Sequence, residues 1–174
     1  MADTNTKYDI VVFGASGYTG RLVAEYLQGE YANTSLKWAM AGRSLDKLAS
    51  VRTALGIPDS VDLVSVDSDD AASVGQMVSD CKVVITTVGP YQLYGEELIK
   101  QCAEQGTDYV DLSGEPSWMH ETIAQHSAAA KTSGARIVHS CGFDSIPFDL
   151  GVYCLQQHAI TQTGSLGSNR VMMP

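Results

Sequence analysis

Short apolar runs rich in valine and isoleucine alternate along this chain with longer segments whose apolar residues recur at helical spacing. That alternation is typical of βαβ units built around a parallel sheet. Several of the runs are apolar along their whole length, as expected for strands that helices cover on both faces. The predicted strands are Tyr8–Phe13, Leu36–Ala41, Val61–Val66, Val83–Thr87, Tyr109–Leu112 and Arg136–His139.

Helical periodicity predicts five helices between these strands and a sixth after the last one. They span Gly17–Gln28, Leu45–Leu55, Ala71–Ser79, Gly95–Gln105, Ser117–Ser133 and Pro147–His158. In the fifth helix, Trp118, Ile123 and Ala130 are predicted to share one apolar face. Together the elements predict a doubly wound α/β domain, a six-stranded Rossmann fold with strand order 3-2-1-4-5-6. We assign residues 7–158 to this domain and residues 159–174 to a linker or to the truncated start of a second domain.

Composition and net charge argue against several classes of function. The 174 residues carry a net charge of -9 with 11 Lys and Arg, so a nucleic-acid surface is not expected. The four cysteines lack Cys-x-x-Cys spacing, which predicts reduced thiols and no metal site. The chain shows neither a signal peptide nor the roughly 20 consecutive apolar residues of a membrane span, so a cytoplasmic protein is predicted.

A glycine-rich loop follows the first strand directly and leads into the first helix. Gly14 permits a tight turn, Gly17 leaves room for a pyrophosphate, and Gly20 lets the helix pack closely on the sheet. The helix N-terminus offers free N–H groups and a positive dipole end to phosphates. The spacing G-x-x-G-x-x-G departs from the commoner G-x-G-x-x-G, and a turn without a ligand is the alternative. The cofactor contacts predicted in this loop are Gly14, Ser16, Gly17, Tyr18, Thr19 and Gly20.

The turn after the second strand, where Arg43 follows Gly42, predicts which nicotinamide cofactor binds. An NAD-binding protein carries Asp or Glu there for the ribose 2′-hydroxyl, whereas this chain has Arg43. A guanidinium can bind a 2′-phosphate through charge-assisted hydrogen bonds worth roughly 1.5–3 kcal/mol. The sequence therefore predicts NADP(H), with a solvated surface arginine as the alternative. Ser44 either adds its hydroxyl to this phosphate site or caps the next helix.

Five motifs in order carry a family resemblance: GASGYTG, AGRS, the segment 86–91, the segment 109–115, and HSCGFDSIPFDLG. Residues 8 to about 153 thereby resemble the saccharopine dehydrogenase-like oxidoreductase family, which includes the trans-acting enoyl reductases. The resemblance implies an NADP-binding Rossmann domain followed by an α/β substrate domain that this chain lacks. It implies a small-molecule substrate bound through that second domain, and it leaves open whether the protein forms a homo-oligomer.

The turns after the fourth and fifth strands lie at the edge of the predicted sheet where this fold binds ligands. Gly89 would let the ribose or pyrophosphate approach and Pro90 would stiffen the turn, unless this is an ordinary strand-ending turn. Glu115 is either a ligand contact near the nicotinamide or a solvated loop residue. The cofactor contacts predicted in these turns are Thr87, Val88, Gly89, Pro90, Ser113 and Gly114.

The segment after the sixth strand contains the candidate proton donors His139, Cys141 and Asp144. Each has a structural alternative: a packed histidine, an inert buried thiol, and a cap provided by Asp144 or Ser145 for the last helix. The catalytic residue is therefore left unassigned.

Hydride transfer between NADPH and an unidentified substrate with a C=C, C=O or imine group is the predicted function. This segment alone is expected to be inactive, because the residues that position the substrate lie elsewhere. The alternative is a non-catalytic NADP(H)-binding redox sensor, since fold does not decide function. A short-chain dehydrogenase is disfavoured because Tyr91, Tyr94, Tyr109 and Tyr153 all lack a lysine four residues on.

Overall fold

The computed structural model describes residues 6–164, in which strands and helices alternate as predicted. The strands are β1 (Tyr8–Phe13), β2 (Trp38–Gly42), β3 (Asp62–Ser65), β4 (Cys81–Thr86), β5 (Asp108–Val110) and β6 (Ile137–Val138). The helices are α1 (Tyr18–Tyr31), α2 (Leu45–Ala54), α3 (Ala71–Ser79), α4 (Tyr91–Tyr94), α5 (Glu96–Gln105), α6 (Pro116–Ser133) and α7 (Ile146–Thr163).

All six strands are parallel and lie in the order β3-β2-β1-β4-β5-β6. The predicted doubly wound order is confirmed. The chain steps outward from β1 to β3 and then returns to the other side of β1 as β4. This reversal separates the loops that follow β1 and β4 and leaves a crevice at the carboxyl edge of the sheet, where this fold binds ligands.

The core consists of two layers, one on each face of the sheet. Val12 of β1 pairs in register with Met40 of β2, and both are buried beneath α1 and α2. Val11, which precedes Val12 in β1, pairs with Val84 of β4 and is buried beneath α3 and α5. Because successive strand side chains point to opposite faces, continuous apolar strands supply both layers.

The structure differs from the sequence-based expectation at several element ends. β6 has two residues rather than the predicted four, and α4 was not predicted. α7 continues to Thr163, past the predicted end at His158, so the supposed linker begins within a helix. The rest of the predicted linker, residues 165–174, lies outside the described residues.

The predicted apolar face of α6 is partly wrong. Trp118 and Ala130 are buried, but Ile123 is 56% exposed. Thr122 is buried against the sheet in its place, with its hydroxyl donating to the carbonyl of Trp118 at 3.1 Å. A threonine can occupy this face because the backbone of its own helix satisfies its hydroxyl.

Two glycines of α1 differ in the space around them. A Cβ on Gly20 would lie 2.1 Å from the carbonyl oxygen of Gly14, whereas a Cβ on Gly29 would meet nothing within 4 Å. The first contact is between backbones, so a side-chain rotation cannot relieve it. α1 can therefore approach the β1–α1 loop this closely only with glycine at position 20.

Gly20→Ala is expected to lower the free energy of unfolding by roughly 1–3 kcal/mol or more, because α1 must move off the loop. Gly29→Ala, in the same helix, is expected to raise it by about 0.5–1 kcal/mol, because alanine has the higher helix propensity. Urea unfolding followed by circular dichroism measures both. Equal effects of the two substitutions would contradict this account of the packing.

Candidate functional site

A groove of about 250 Å³ opens at the carboxyl ends of β1, β2 and β4. We call it the main groove. It brings together residues from four segments of the chain that are far apart in sequence. Its lining residues are Phe13, Gly14, Ser16, Gly17, Gly42, Arg43, Ser44, Lys47, Ser68, Thr87, Val88, Gly89 and Tyr94.

The β1–α1 loop forms one wall of the main groove. Gly14 adopts a φ of 91°, a left-handed conformation that favours glycine, and its N–H donates to the carbonyl of Ala41 at 2.9 Å. Gly17 is the N-cap of α1 and provides no side-chain hydrogen bond to the helix. The first N–H groups of α1 are therefore left for another acceptor, as at other helix N-termini that bind anions.

The β2–α2 turn contributes two cationic side chains to the main groove, Arg43 and Lys47. Within the described part of the chain, neither forms an ion pair with an acidic side chain. Ser44 Oγ accepts a hydrogen bond from the Lys47 N–H at 3.3 Å, so Ser44 caps α2 while it also lines the groove. Sequence reasoning missed Lys47, although its position one helical turn after Arg43 was a usable signal.

The β4 end forms the opposite wall. The Thr87 hydroxyl lies 3.3 Å from the carbonyl oxygens of both Phe13 and Gly14, and so ties the β4 end to the β1–α1 loop. Tyr94 of α4 and Ser68, which follows β3, also line the groove and were not predicted. No pattern local to either residue indicates this position.

The main groove gathers some predicted cofactor contacts and leaves others outside its lining. Tyr18 is 85% exposed, and Gly20 is buried against the loop backbone. Pro90 and Gly114 are exposed, whereas Ser113 is buried. The predicted contacts that line the main groove are Gly14, Ser16, Gly17, Arg43, Ser44, Thr87, Val88 and Gly89.

A second groove, of about 450 Å³, adjoins the main groove and shares Thr87 with it. Its floor is largely apolar, and two candidate proton donors, Cys141 and Asp144, lie in its lining. Thr19, predicted to contact the cofactor, lies here instead of in the main groove. The lining residues are Thr19, Val23, Ile85, Thr86, Thr87, Val110, Asp111, Leu112, Cys141, Gly142, Phe143 and Asp144.

A buried carboxylate, Asp111, joins the loops that follow β5 and β6. Oδ2 accepts from the Tyr109 hydroxyl at 2.9 Å and lies 2.7 Å from His139 Nδ1. Oδ1 accepts from the N–H groups of Ser113 at 3.0 Å and Ser140 at 2.8 Å. Burial alone would raise the pKa of Asp111, but these hydrogen bonds outweigh it and hold the pKa below its usual value.

His139 is enclosed by protein, and its side chain is 8% exposed. Its ring packs edge-on against Tyr109 and Trp118, with centroid distances of 6.0 and 5.3 Å. Asp111 contacts Nδ1, and the Thr122 hydroxyl lies 3.4 Å from Nε2. Both ring nitrogens thus have partners within the fold, which favours the structural alternative for His139.

The other two candidates differ from each other. Burial and then the charge of Asp111 raise the pKa of the Cys141 thiol, which favours the neutral form and the inert alternative. Asp144 is exposed at the rim of the second groove. Of the two residues expected to cap the last helix, Ser145 is the N-cap of α7, but its side chain forms no cap hydrogen bond there.

Glu115 has a role that neither sequence-based alternative described. Its two carboxylate oxygens accept from the N–H groups of Tyr91 at 2.8 Å and Gln92 at 2.9 Å, where α4 begins. The Ser113 hydroxyl in turn accepts from the N–H of Glu115 at 3.1 Å. This β5 turn therefore holds α4 in place, and through α4 it positions Tyr94 in the main groove.

Comparison with known sequences identifies the family of this chain. The sequence profile described as the saccharopine dehydrogenase NADP binding domain matches residues 10–138. The chain belongs to this family. The predicted family resemblance is confirmed, and with it NADP(H) as the cofactor that the family binds.

Individual relatives are longer than this chain. A trans-acting enoyl reductase of Mycobacterium leprae is 41% identical over 169 residues, which cover 95% of this chain and 40% of that protein. A lipid droplet localized protein of Caenorhabditis elegans is 42% identical over 159 residues, 88% of this chain and 37% of that protein. The chain thus spans about two fifths of the length of these relatives.

Solved structures show the same fold. Apo saccharopine dehydrogenase (L-Glu forming) from Saccharomyces cerevisiae superposes with a TM-score of 0.67 at 19% identity. The superposition covers 90% of this chain and 32% of that enzyme.

Among residues 6–164, no helix has the length and apolarity needed to cross a membrane.

Asp111→Asn is expected to lower the free energy of unfolding by roughly 2–3 kcal/mol at neutral pH, because charge-assisted hydrogen bonds are lost in a buried site. The folded-state pKa lies below the usual 3.8, so the carboxylate stabilises the fold above that pH. The stabilisation is lost as the pH falls through the lower, folded-state pKa. The difference between wild type and variant should therefore shrink on acidification.

Urea unfolding at neutral pH and at several pH values below 3.8 measures this difference. Asp69→Asn is the control, because the Asp69 side chain is exposed and accepts no hydrogen bond within the described residues. It should change stability little at any of these pH values. A wild-type advantage over Asp111→Asn that stays constant with pH would show that the charge of Asp111 does not stabilise the fold.

Proposed function

We propose that this chain is the NADP(H)-binding part of an oxidoreductase that transfers hydride between NADPH and a small-molecule substrate. The reacting group would be a C=C, C=O or imine. One observation supports this most directly: Arg43 and Lys47, two cations without ion-pair partners among residues 6–164, line the same groove as Gly17 at the N-terminus of α1, where no side chain caps the helix. The name of the mycobacterial relative, trans-acting enoyl reductase, points to the same class of chemistry.

The β1–α1 loop would hold the pyrophosphate. The N–H groups at the start of α1 have no side-chain cap, and the helix dipole places partial positive charge there. Gly14 and Gly17 add no side chain between backbone and ligand. The Thr87 hydroxyl holds the start of this loop through the carbonyl oxygens of Phe13 and Gly14, so the loop would present these N–H groups in a fixed geometry.

The β2–α2 turn would hold the 2′-phosphate. A guanidinium and an ammonium together can neutralise most of the charge of a phosphate, which bears about -1.5 to -2 at neutral pH. The chain as a whole has a net charge of -9, so binding of an anion depends on such a local concentration of positive charge. Ser44 and Ser68 lie in the same lining and could donate hydroxyl hydrogen bonds.

The second groove would receive the nicotinamide ring and the substrate, since it adjoins the main groove at Thr87. When bound, NADPH supplies the hydride, and the protein supplies position and electrostatics. Val23, Ile85 and Leu112 would exclude water from that end. We assign proton donation to the part of the protein outside this chain, because both ring nitrogens of His139 have partners within the fold, and burial raises the pKa of the Cys141 thiol and makes it a weaker acid.

The domain assignment follows from this division of roles. Residues 7–158, with the end of α7 at Thr163, would form the cofactor domain, and a substrate domain would follow α7. The chain alone is then expected to bind NADPH without turning over substrate, because catalysis depends on groups that hold the substrate in position.

Arg43→Ala is expected to weaken NADPH binding by about 10- to 150-fold, the equivalent of the roughly 1.5–3 kcal/mol of a charge-assisted hydrogen bond. NADH binding should not change, because NADH lacks the 2′-phosphate. Lys47→Ala should weaken NADPH binding in the same selective way. Isothermal titration of each variant with both cofactors measures these affinities.

Lys131→Ala is the charge-matched control. Lys131 is exposed on α6 and lies outside both grooves, so its removal should leave both affinities unchanged. Equal wild-type affinity for NADPH and NADH, insensitive to Arg43→Ala, would refute the proposed 2′-phosphate site.

A further inference from the structure

One half of the sheet has an apolar face that the described residues leave uncovered. Ile85, Val110 and Val138 lie side by side in register across β4, β5 and β6. The same row continues into β1 at Val12, which is fully buried beneath α1. Ile85 and Val110 are only half-buried, and Val138 is 48% exposed. The cover provided by α1 and α2 therefore stops at β1.

The opposite face of these three strands is covered. Val84, Tyr109 and Ile137 form the neighbouring row and pack with side chains of α5 and α6. Val84 and Tyr109 have no exposed surface. Since parallel sheets are buried on both faces, a row of valine and isoleucine on the uncovered face indicates a missing layer.

α7 adds a second, independent observation. Within the described residues it exposes large apolar side chains from Ile146 to Leu155 and again at Ile160. With 3.6 residues per turn, Leu150 and Tyr153 share one side of the helix, and Phe148 lies on the opposite side. A surface helix carries one apolar face, so large apolar residues on opposite sides are typical of a buried helix. The exposed apolar residues are Ile146, Phe148, Leu150, Val152, Tyr153, Leu155 and Ile160.

We propose that α7 and the uncovered face of β4–β6 form one interdomain core, enclosed by the part of the full-length protein that lies outside this chain. Large apolar residues on opposite sides of α7 require cover on both sides, whereas a second copy packed against the helix would cover one side. α7 is also not apolar enough to cross a membrane. The matched region covers 40% of the M. leprae relative, so a protein of that length has ample chain to enclose α7.

This inference rests on the proposed two-domain enzyme and adds where its domains join. Ile85 and Val110 belong both to the uncovered face and to the lining of the second groove. The segment that covers the face would therefore also close the second groove. Domain packing and exclusion of water from the substrate would then depend on the same contact.

Cys154 is a natural reporter, because it lies on α7 and is exposed in the described chain. The experiment uses the protein encoded by the complete gene, without cofactor. Maleimide modification is followed at each cysteine by peptide mass spectrometry and compared with the urea-unfolded protein. We expect native Cys154 to react at least about 100-fold more slowly than unfolded Cys154, as a buried group reached only by local opening.

Leu22→Cys on α1 is the positive control, because Leu22 is 50% exposed on a helix outside the proposed core. It should react at nearly the same rate in the native and unfolded protein. Leu150→Asp, at a site 52% exposed, should speed Cys154 modification by about 10-fold or more, because it places a charge in the core. Leu22→Asp, at the matched exposure, should leave the rate unchanged.

Three results would overturn the inference. Native Cys154 could react with maleimide as fast as the cysteine of Leu22→Cys. Its protection from maleimide could disappear when the protein is diluted to monomer, or could require neutral phosphatidylcholine vesicles. The second result would assign the face to a second copy, and the third to a lipid surface. None of them involves the cofactor. Selective NADPH binding through Arg43 can therefore hold while this inference fails, and the reverse is equally measurable.

Discussion

The close approach of α1 to the loop that follows β1 is the constraint on which the rest of this structure depends. Gly20 lies against the carbonyl of Gly14, and Gly14 lies against Thr87 at the end of β4. Neither contact leaves room for a Cβ. The helix N-terminus is therefore held at the carboxyl edge of the sheet, where Gly17 lines the main groove and no side chain caps the first N–H groups.

Local charge decides what this crevice can bind. The chain is strongly acidic overall, yet Arg43 in the β2–α2 turn and Lys47 in the first turn of α2 both line the main groove. Several lysines and arginines elsewhere are paired with carboxylates, as Lys82 is with Asp9. Positive charge in the main groove is thus left unpaired within the described residues, which suits a ligand with both a pyrophosphate and a further phosphate.

Residues of catalytic type serve the architecture at the other end of the site. Asp111 accepts four hydrogen bonds and fixes the loops after β5 and β6 relative to each other. His139 belongs to that network, and Glu115 holds α4. The second groove consequently has firm apolar walls but few groups free to exchange a proton, which is consistent with a site completed by another part of the protein.

Local patterns along the sequence were enough to predict the fold class, the glycine loop and the place of Arg43 after the second strand, because each depends on periodicity or on a motif within a few residues. The strand order then followed from the fold class. Lys47, Ser68, Tyr94 and the role of Glu115 emerged only from the tertiary structure. They depend on contacts between segments up to tens of residues apart, and on which strand ends become neighbours when the sheet assembles. Local propensity carries no information about such pairings, so the packed fold alone decided them.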